Sequence, residues 1–379
     1  MAGPCLLRLA CLLLLGFRML SSMSDARGAD RIKSDERVLF FPAVASEDPQ
    51  TGRWTAEIHG WIYEPETDDI ARRSMLAALK EIVDPDPQLT VEVGRRLTER
   101  ARLFVVDNER GKRIGIRIAG ESVTLPASGV DGHFLGTVEL TPEQIKGHAA
   151  NGVITFHAEN CGEVRYEGTL RLLPVMGLMV ISDIDDTIKV SEVLNKRRLL
   201  ARTFLEEYEA VGGMAELYWT LDERGAAFHY ISASPWQLFP SLEAFRSREK
   251  FPVATWTLKR LRLKDESLLE LLASPEEYKI PLIEKELRKF PMRKFLLIGD
   301  DGEQDPEVYG EIARRHPEQI ERIWIRQVPG SHGGDDRYAN AFRDLPQRLW
   351  KSFERAEELR RDLDEVAPKP EVSAKKPDK

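Results

Sequence analysis

The stretch Leu178–Val190, "LMVISDIDDTIKV", runs from an apolar, strand-like segment straight into three aspartates within four positions. Its first half is continuously apolar rather than alternating, which suits a strand covered on both faces inside a parallel sheet. Its second half is a problem of charge. Asp183 and Asp185 bracket Ile184 at the end of that strand, and carboxylates this close repel one another unless something cationic compensates them.

Further along the chain the same pattern recurs. The apolar runs "AAFHYIS" (226–232), "KFLLIG" (294–299) and "ERIWIRQV" (321–328) alternate with helical stretches near Ala201–Ala210, Gly213–Arg224, Pro275–Lys289 and Pro306–Arg315. Strands separated by helices predict an α/β domain over residues 174–352, built as an open, doubly wound parallel sheet. In such sheets ligands sit beyond the carboxyl ends of the strands. Toward the N-terminus the rhythm is different. In "EVRYEGTLRLL" (163–173), Val164, Tyr166, Gly168, Leu170 and Leu172 share one face and charged or polar residues the other, the period-two signature of a half-buried antiparallel strand. "RWTAEIHGWIY", "HFLGTVEL" and "GVITFHA" are of the same kind, so residues 31–173 read as a β-rich, sandwich-like domain. One interruption, "DDIARRSMLAALKEIV" (68–83), has the pattern of an amphipathic helix. Residues 353–379 read as the end of a charged helix followed by a tail of disordered composition.

The chain has 379 residues, with 55 Lys plus Arg against 63 Asp plus Glu, a formal charge of −8. That balance gives no global electrostatic reason to seek nucleic acid, and no nucleic-acid partner is expected. The first residues, "MAGPCLLRLACLLLLGFRML", carry an apolar run that is short for a spanning helix and resembles a secretory signal over residues 1–26, cleaved near Ala26. The expected location is therefore exported, periplasmic or membrane-associated. Loss of Cys5 and Cys11 with that segment would leave Cys161 alone, with no partner for an intrachain disulfide.

The chemistry should lie where the strands end. Asp183, Asp185 and Thr187 follow the first run; Ser232, Ala233, Ser234, Pro235 and Trp236 end or follow the second; Asp300, Asp301 and Asp305 follow the third. Lys279 lies in the helical segment "EEYKIPLIEKEL", from which it can point back toward that edge, although Lys285 and Lys289 share the segment. An oxygen-only set with no nearby His or Cys cluster suits a hard cation such as Mg²⁺ rather than zinc. Few protein carboxylates around Mg²⁺ leave room for a substrate phosphate, which points to phosphoryl chemistry. A carboxylate can itself be the nucleophile while a second one gives and takes the proton.

Taken together, Asp183, Asp185 and Thr187 in a D-x-D-x-T motif, then Ser232, Lys279 and Asp300 in order, resemble the four motifs of the haloacid-dehalogenase superfamily. More narrowly, "DIDDTIKVSEV", "YISASPWQL", "LRLKD" and "FLLIGDDGEQDPEVYGEI" resemble the catalytic domain of the fungal actin-patch type of phosphatidate phosphatase and its bacterial relatives, a group related to the lipins. The resemblance covers residues 174–328. It implies a haloacid-dehalogenase-like fold, Mg²⁺ as cofactor, and hydrolysis of a lipid phosphomonoester to diacylglycerol and phosphate through an aspartyl-phosphate intermediate. It implies Asp183 as nucleophile and metal ligand, Asp185 as acid and base with its backbone carbonyl on the metal, and Asp300 as the remaining protein ligand. Ser232 and Lys279 would hold the phosphoryl oxygens, Thr187 would orient the loop, and Asp301 or Asp305 would steady Lys279 or a metal-bound water. The implied partner is phosphatidate or a related phospholipid. The alternatives are a soluble phosphomonoester, or a phosphatidate-binding module without catalysis, against which the presence of both Asp183 and Asp185 argues.

Other residues admit a plainer reading beside a functional one. Trp236, Leu238, Phe239 and Phe245 read first as core or loop anchors and second as an apolar entrance for acyl chains. In "TWTLKRLRLKD", Trp256 with Lys259, Arg260, Arg262 and Lys264 fits either a solvated face or a peripheral contact with an anionic membrane. Ser234, two residues past Ser232, is the less suited phosphate ligand. His59, His133, His148 and His157 do not cluster in sequence and read as structural residues.

Overall fold

The computed structural model describes residues 28–65, 91–260, 276–331 and 334–367. The leader-like segment, the expected helix over 68–83, the "LRLKD" segment with Arg262 and Lys264, and the tail from residue 368 lie outside the described residues.

The N-terminal part contains β1 (Arg37–Phe40), β2 (Ala43–Glu47), β3 (Trp54–Glu64), α1 (Val91–Ala101), β4 (Asp107–Asn108), β5 (Gly115–Ile118), β6 (Glu121–Thr124), β7 (His133–Leu140), α2 (Pro142–His148), β8 (Val153–Ala158) and β9 (Glu167–Leu173). Among the described residues, hydrogen bonds join its nine strands into one sheet, along the path β1-β3-β2-β9-β8-β5-β6 with β4 and β7 also on β3. The sequence reading was sandwich-like. Within that one sheet, Ile116 of β5, Ile58 of β3 and Val138 of β7 share one core with Phe40, Phe156 and Leu170. The expected alternation holds in the first half of β9, where buried Gly168 and Leu170 alternate with exposed Glu167 and Thr169, and is lost at its end, where Leu173 rather than Leu172 is buried.

The second part continues with β10 (Leu178–Ser182), α3 (Lys196–Phe204), α4 (Met214–Glu223), β11 (Ala227–Pro235), α5 (Phe239–Arg248), β12 (Thr255–Lys259), α6 (Glu276–Lys289), β13 (Lys294–Asp300), α7 (Asp305–Arg315), β14 (Ile320–Arg326), α8 (Asp335–Ala341), β15 (Trp350–Phe353) and α9 (Arg360–Val366). Its six strands lie in the order β12-β11-β10-β13-β14-β15, every neighbouring pair parallel. Both faces are covered, as the continuously apolar strands require. Val180 of β10 joins Leu200, Tyr218 and Leu242 on one face, while Met179 and Ile181 join Ile283, Leu287 and Ile312 on the other. The chain leaves β10 in one direction through β11 and β12 and in the other through β13, β14 and β15, so a switch point opens between β10 and β13 at their carboxyl ends.

One boundary differs from the sequence reading. Trp350–Phe353 is the edge strand β15, and Leu359, Leu363 and Val366 belong to the core. The α/β unit therefore runs to Ala367, and the segment read as a charged helix end is held by three apolar residues at helical spacing. The two parts also share a core: Phe41, Trp61, Leu97 and Phe104 pack with residues of the α/β unit. The Arg100 guanidinium donates to the carbonyls of Thr203 at 2.9 Å and Glu206 at 2.7 Å. Among the described residues no helix is long and apolar enough to cross a membrane.

Candidate active site

The Asp183 N–H donates to the Ile298 carbonyl at 2.9 Å, carrying the β10–β13 ladder one residue past the strand. Asp183 thus stands beside Asp300, the last residue of β13, at the switch point. The loop that follows is shaped by Asp186, whose φ of 53° is the left-handed conformation that aspartate tolerates better than most residues. Its carboxylate accepts from the N–H groups of Ser191 (2.8 Å), Glu192 (3.0 Å) and Val193 (2.7 Å). Those bonds turn the chain back and return Lys189 and Ser191 onto Asp185.

Asp185 is consequently surrounded by donors. Its Oδ1 lies 2.8 Å from Lys189 Nζ and accepts from Ser191 Oγ at 2.7 Å; its Oδ2 accepts from Ser234 Oγ at 2.9 Å and Ser232 Oγ at 3.2 Å. Burial opposes ionisation of Asp185, but the Lys189 ammonium and these hydroxyls outweigh it and hold the carboxyl below its usual pKa. Ser232 and Ser234 both reach this group, and Ser232 Oγ also accepts the Ser234 N–H at 2.9 Å.

Lys279 is buried and is the lysine of α6 that reaches the site. Its Nζ donates to Asp183 Oδ1 at 3.0 Å and to Asp305 Oδ1, with Glu303 Oε2 at 3.5 Å. Burial works against the ammonium, but Asp183, Asp305 and Glu303 push its pKa well above the ordinary value. Thr187 Oγ1 donates to Asp300 Oδ2 at 3.1 Å, and the Gly302 N–H to Asp300 Oδ1 at 2.8 Å. Burial, then repulsion from Asp305 and Asp183, drives the Asp300 carboxyl well above its usual range; burial likewise raises Asp183, with Lys279 only partly offsetting its carboxylate neighbours. Glu303 is pushed up to about 7, mainly by burial.

Among the described residues, five carboxylates, Asp183, Asp185, Asp300, Glu303 and Asp305, thus face two ammonium groups, Lys189 and Lys279, and carboxylates outnumber cations there. Oxygens of Asp183, Asp300 and Asp305 lie within 4.8 Å of one another. Asp183 Oδ2 is buried without a hydrogen-bond partner. An orphaned buried oxygen in an all-oxygen, electron-rich cluster fits a hard divalent cation. Asp305 is the poorest ligand of the three, because Lys279 takes its Oδ1 and the Asp300 N–H reaches its Oδ2 at 3.2 Å.

Most of the expected residues therefore meet: Asp183, Asp185, Thr187, Ser232, Lys279, Asp300 and Asp305. Asp301 does not. Its carboxylate accepts the Val328 N–H at 2.7 Å and the Tyr338 hydroxyl at 2.6 Å, anchoring α8 away from Lys279, so of the two supporting aspartates only Asp305 steadies the lysine. Sequence reasoning did not single out Lys189, Ser191 or Glu303. Trp236, Leu238, Phe239, Phe245 and Trp256 are all buried, as core residues. Arg260 lies 3.7 Å from Asp131 and 3.5 Å from His59 Nε2, and His59 and His133, distant in sequence, meet at 3.1 Å.

Residues 178–327 match the family described as phosphatidate phosphatase APP1, catalytic domain. An uncharacterized protein of Schizosaccharomyces pombe is 31% identical over 167 residues, 43% of this chain and 27% of that protein. Phosphatidate phosphatase APP1 of Saccharomyces cerevisiae is 36% identical over 154 residues, 40% of this chain and 26% of that protein. The chain thus spans about a quarter of the length of these curated relatives. The apo structure of Bacteroides uniformis beta-glucuronidase 3 aligns with 77% of this chain and 33% of that chain at 10% identity and a TM-score of 0.23, a likeness too slight to bear on fold or function. The motif resemblance is borne out as a similarity: residues 178–327 match the APP1 phosphatidate phosphatase catalytic domain, and the yeast protein of that name is 36% identical over 154 residues.

Proposed function

We propose that this chain hydrolyses the phosphomonoester of phosphatidate, or of a related phospholipid, to diacylglycerol and phosphate. The observation that carries the reading is Asp183 itself. It is buried at the switch point, with one oxygen on Lys279 and the other without a partner. An Asp183 oxygen bonds to phosphorus as the bond to the glycerol oxygen breaks, and that oxygen takes a proton from Asp185. Water then attacks phosphorus and gives its proton to Asp185 as the bond to Asp183 breaks, which frees phosphate. Lys279 offsets the charge gathering on the phosphoryl oxygens, and Ser232 with Ser234 orients Asp185. Mg²⁺ held by Asp183, Asp300 and the Asp185 carbonyl would neutralise the transferring group and keep it in line. The lipid rests on the family and on the name of the yeast relative. The leader-like N-terminus supports export, and Lys259 with Arg260 supports a peripheral contact with an anionic lipid surface.

The test is phosphate release from phosphatidate in mixed micelles and from a water-soluble phosphomonoester, with and without Mg²⁺, for the wild-type chain and Asp183→Asn. Metal-dependent release favouring phosphatidate and lost in the variant is expected. Turnover surviving in Asp183→Asn would overturn the nucleophile, and release from the soluble ester alone would discard the lipid.

A further inference from the structure

Two cavities lie between the N-terminal sheet and the α/β unit, and they abut. Both are lined by Pro42, Ala43, Val44 and Thr255. The smaller, about 460 Å³, follows the edge strand β12 and is bounded near the catalytic cluster by Trp236, Arg260 and Tyr278. Trp236 comes two residues after Ser234, and Tyr278 directly precedes Lys279, so consecutive residues of α6 serve the groove and the site. The larger cavity, about 970 Å³, lies at the starts of β11 and β12 and is walled by Val153, Leu173, Trp219, Phe228 and Val253.

Three of the exposed apolar side chains among the described residues line the groove, while others such as Val91 and Met176 lie elsewhere. Leu135 (40% exposed) lines the smaller cavity, and Trp219 (49%) and Val253 (55%) line the larger. Such exposure is unfavourable by about 25 cal/mol for each Å² that a ligand could cover. Charge is distributed unevenly along it. Lys259, Arg260, Lys285 and Lys289 line the smaller cavity against Glu57 and Glu286, whereas the larger cavity sets its apolar wall beside Arg171, Arg246 and Lys250 and the carboxylates of Glu216, Asp222, Glu243 and Glu249. From Thr255 to Lys259 the groove follows β12 for five residues, about 13 Å at strand rise. A fatty acyl chain spans one leaflet, half of the roughly 30 Å hydrocarbon core of a bilayer. An acyl chain of that length that enters beside Lys259 passes along β12 to the junction at Thr255, and the net positive lining of the smaller cavity complements an anionic head group at the near end while Val153, Leu173, Trp219 and Val253 offer apolar contact at the other.

Resting on the phosphatase reading above, we propose that this interdomain groove receives an acyl chain of the lipid phosphate whose head group lies at Asp183, so that the N-terminal sheet supplies one wall of the lipid site. Of Trp236, Leu238, Phe239 and Phe245, where an acyl entrance was the alternative reading of the sequence, Trp236 lines this path and the other three do not.

Trp219 is a built-in reporter. Phosphatidate carrying a dibromostearoyl chain, in nonionic detergent micelles without divalent cation, should quench fluorescence in the wild-type chain. In Trp219→Phe the quenching of Trp236 and Trp256, which line the smaller cavity, should remain, and the quenching due to Trp219 should be missing. In Thr169→Phe/Ala215→Phe, which places rings in the larger cavity, that quenching should be lost. The ratio of kcat/KM on long-chain to short-chain phosphatidate should fall roughly tenfold, the worth of a few unburied methylenes. Quenching unchanged in the filled variant would mean that lipid meets Trp219 only at the surface, and would overturn the proposal, as would no quenching at all. Quenching that follows this pattern in a protein that releases no phosphate from any ester would leave the groove standing and remove the phosphatase reading.

Discussion

At Asp185 four donors, Lys189, Ser191, Ser232 and Ser234, converge on two oxygens. A carboxylate so held is ionised and aimed, the state in which it can take a proton from water. To give a proton to a leaving oxygen it must first loosen its hold on Lys189, which an arriving phosphate can help by competing for the same ammonium. Lys189 then does more than balance charge. It is itself buried beside Ser191, with its ammonium 5.1 Å from the centre of the Tyr208 ring, so the pair is one geometric unit. Lys189→Met should lower kcat by roughly a hundredfold, the range expected when a general acid–base group is misplaced, with the circular dichroism spectrum retained. A kcat within about twofold of wild type would show that the lysine neutralises charge without positioning Asp185.

At the scale of elements, the site depends on how closely α7 approaches the end of β13. A Cβ on Gly299 would lie 2.1 Å from Asp305 Oδ2 and 2.7 Å from Asp305 Cβ. Gly299→Ala must push the first turn of α7 outward and pull Asp305 from Lys279. It should cost about 1–3 kcal/mol in urea unfolding, the usual penalty of overpacking, and lower activity as well; wild-type values for both would mean that the turn yields freely. The sequence made this contact visible only as "GDD" followed by Asp305. What was legible is the strand-end logic: apolar runs too continuous for a wet face, each ending in oxygen donors, were enough to assign the parallel sheet and gather Asp183, Ser232, Lys279 and Asp300. Short elements were harder. "TWTLK" reads as a basic surface stretch until Trp256 is seen buried on β12, and the four residues of β15 carry no period. Lys189 and Ser191 were hidden because their return depends on the left-handed turn at Asp186, which nothing in residue spacing reveals. In the N-terminal half, alternation identified strands but not partners, so the joining of its described strands into one hydrogen-bonded sheet was not legible.

Over the whole molecule, the two parts behave as one packed body because aromatic residues of the first fill the core of the second. Phe41 sits 4.0 Å from Trp236, centroid to centroid, and His59 and His133 lie against the same cluster. That seam carries a pH dependence. Burial lowers the pKa of His133 to about 4, with Arg260 adding to the effect and Asp131 opposing it; His59 is lowered too, by burial and then by His133, Arg260 and Lys285. An unfolded chain takes up the His133 proton near pH 6.5, whereas the folded protein resists it until about pH 4. The contribution of a neutral His133 is therefore complete above pH 6.5 and is lost progressively as pH falls toward 4, by about 2 kcal/mol between pH 7 and pH 5. The raised carboxyls of the catalytic cluster respond in the opposite direction, so the informative quantity is the difference between wild type and His133→Asn. Urea unfolding of both should show that difference shifting against the wild type by about 2 kcal/mol on going from pH 7 to pH 5. A difference independent of pH would mean that the imidazole titrates normally and that the seam between the two parts is wet.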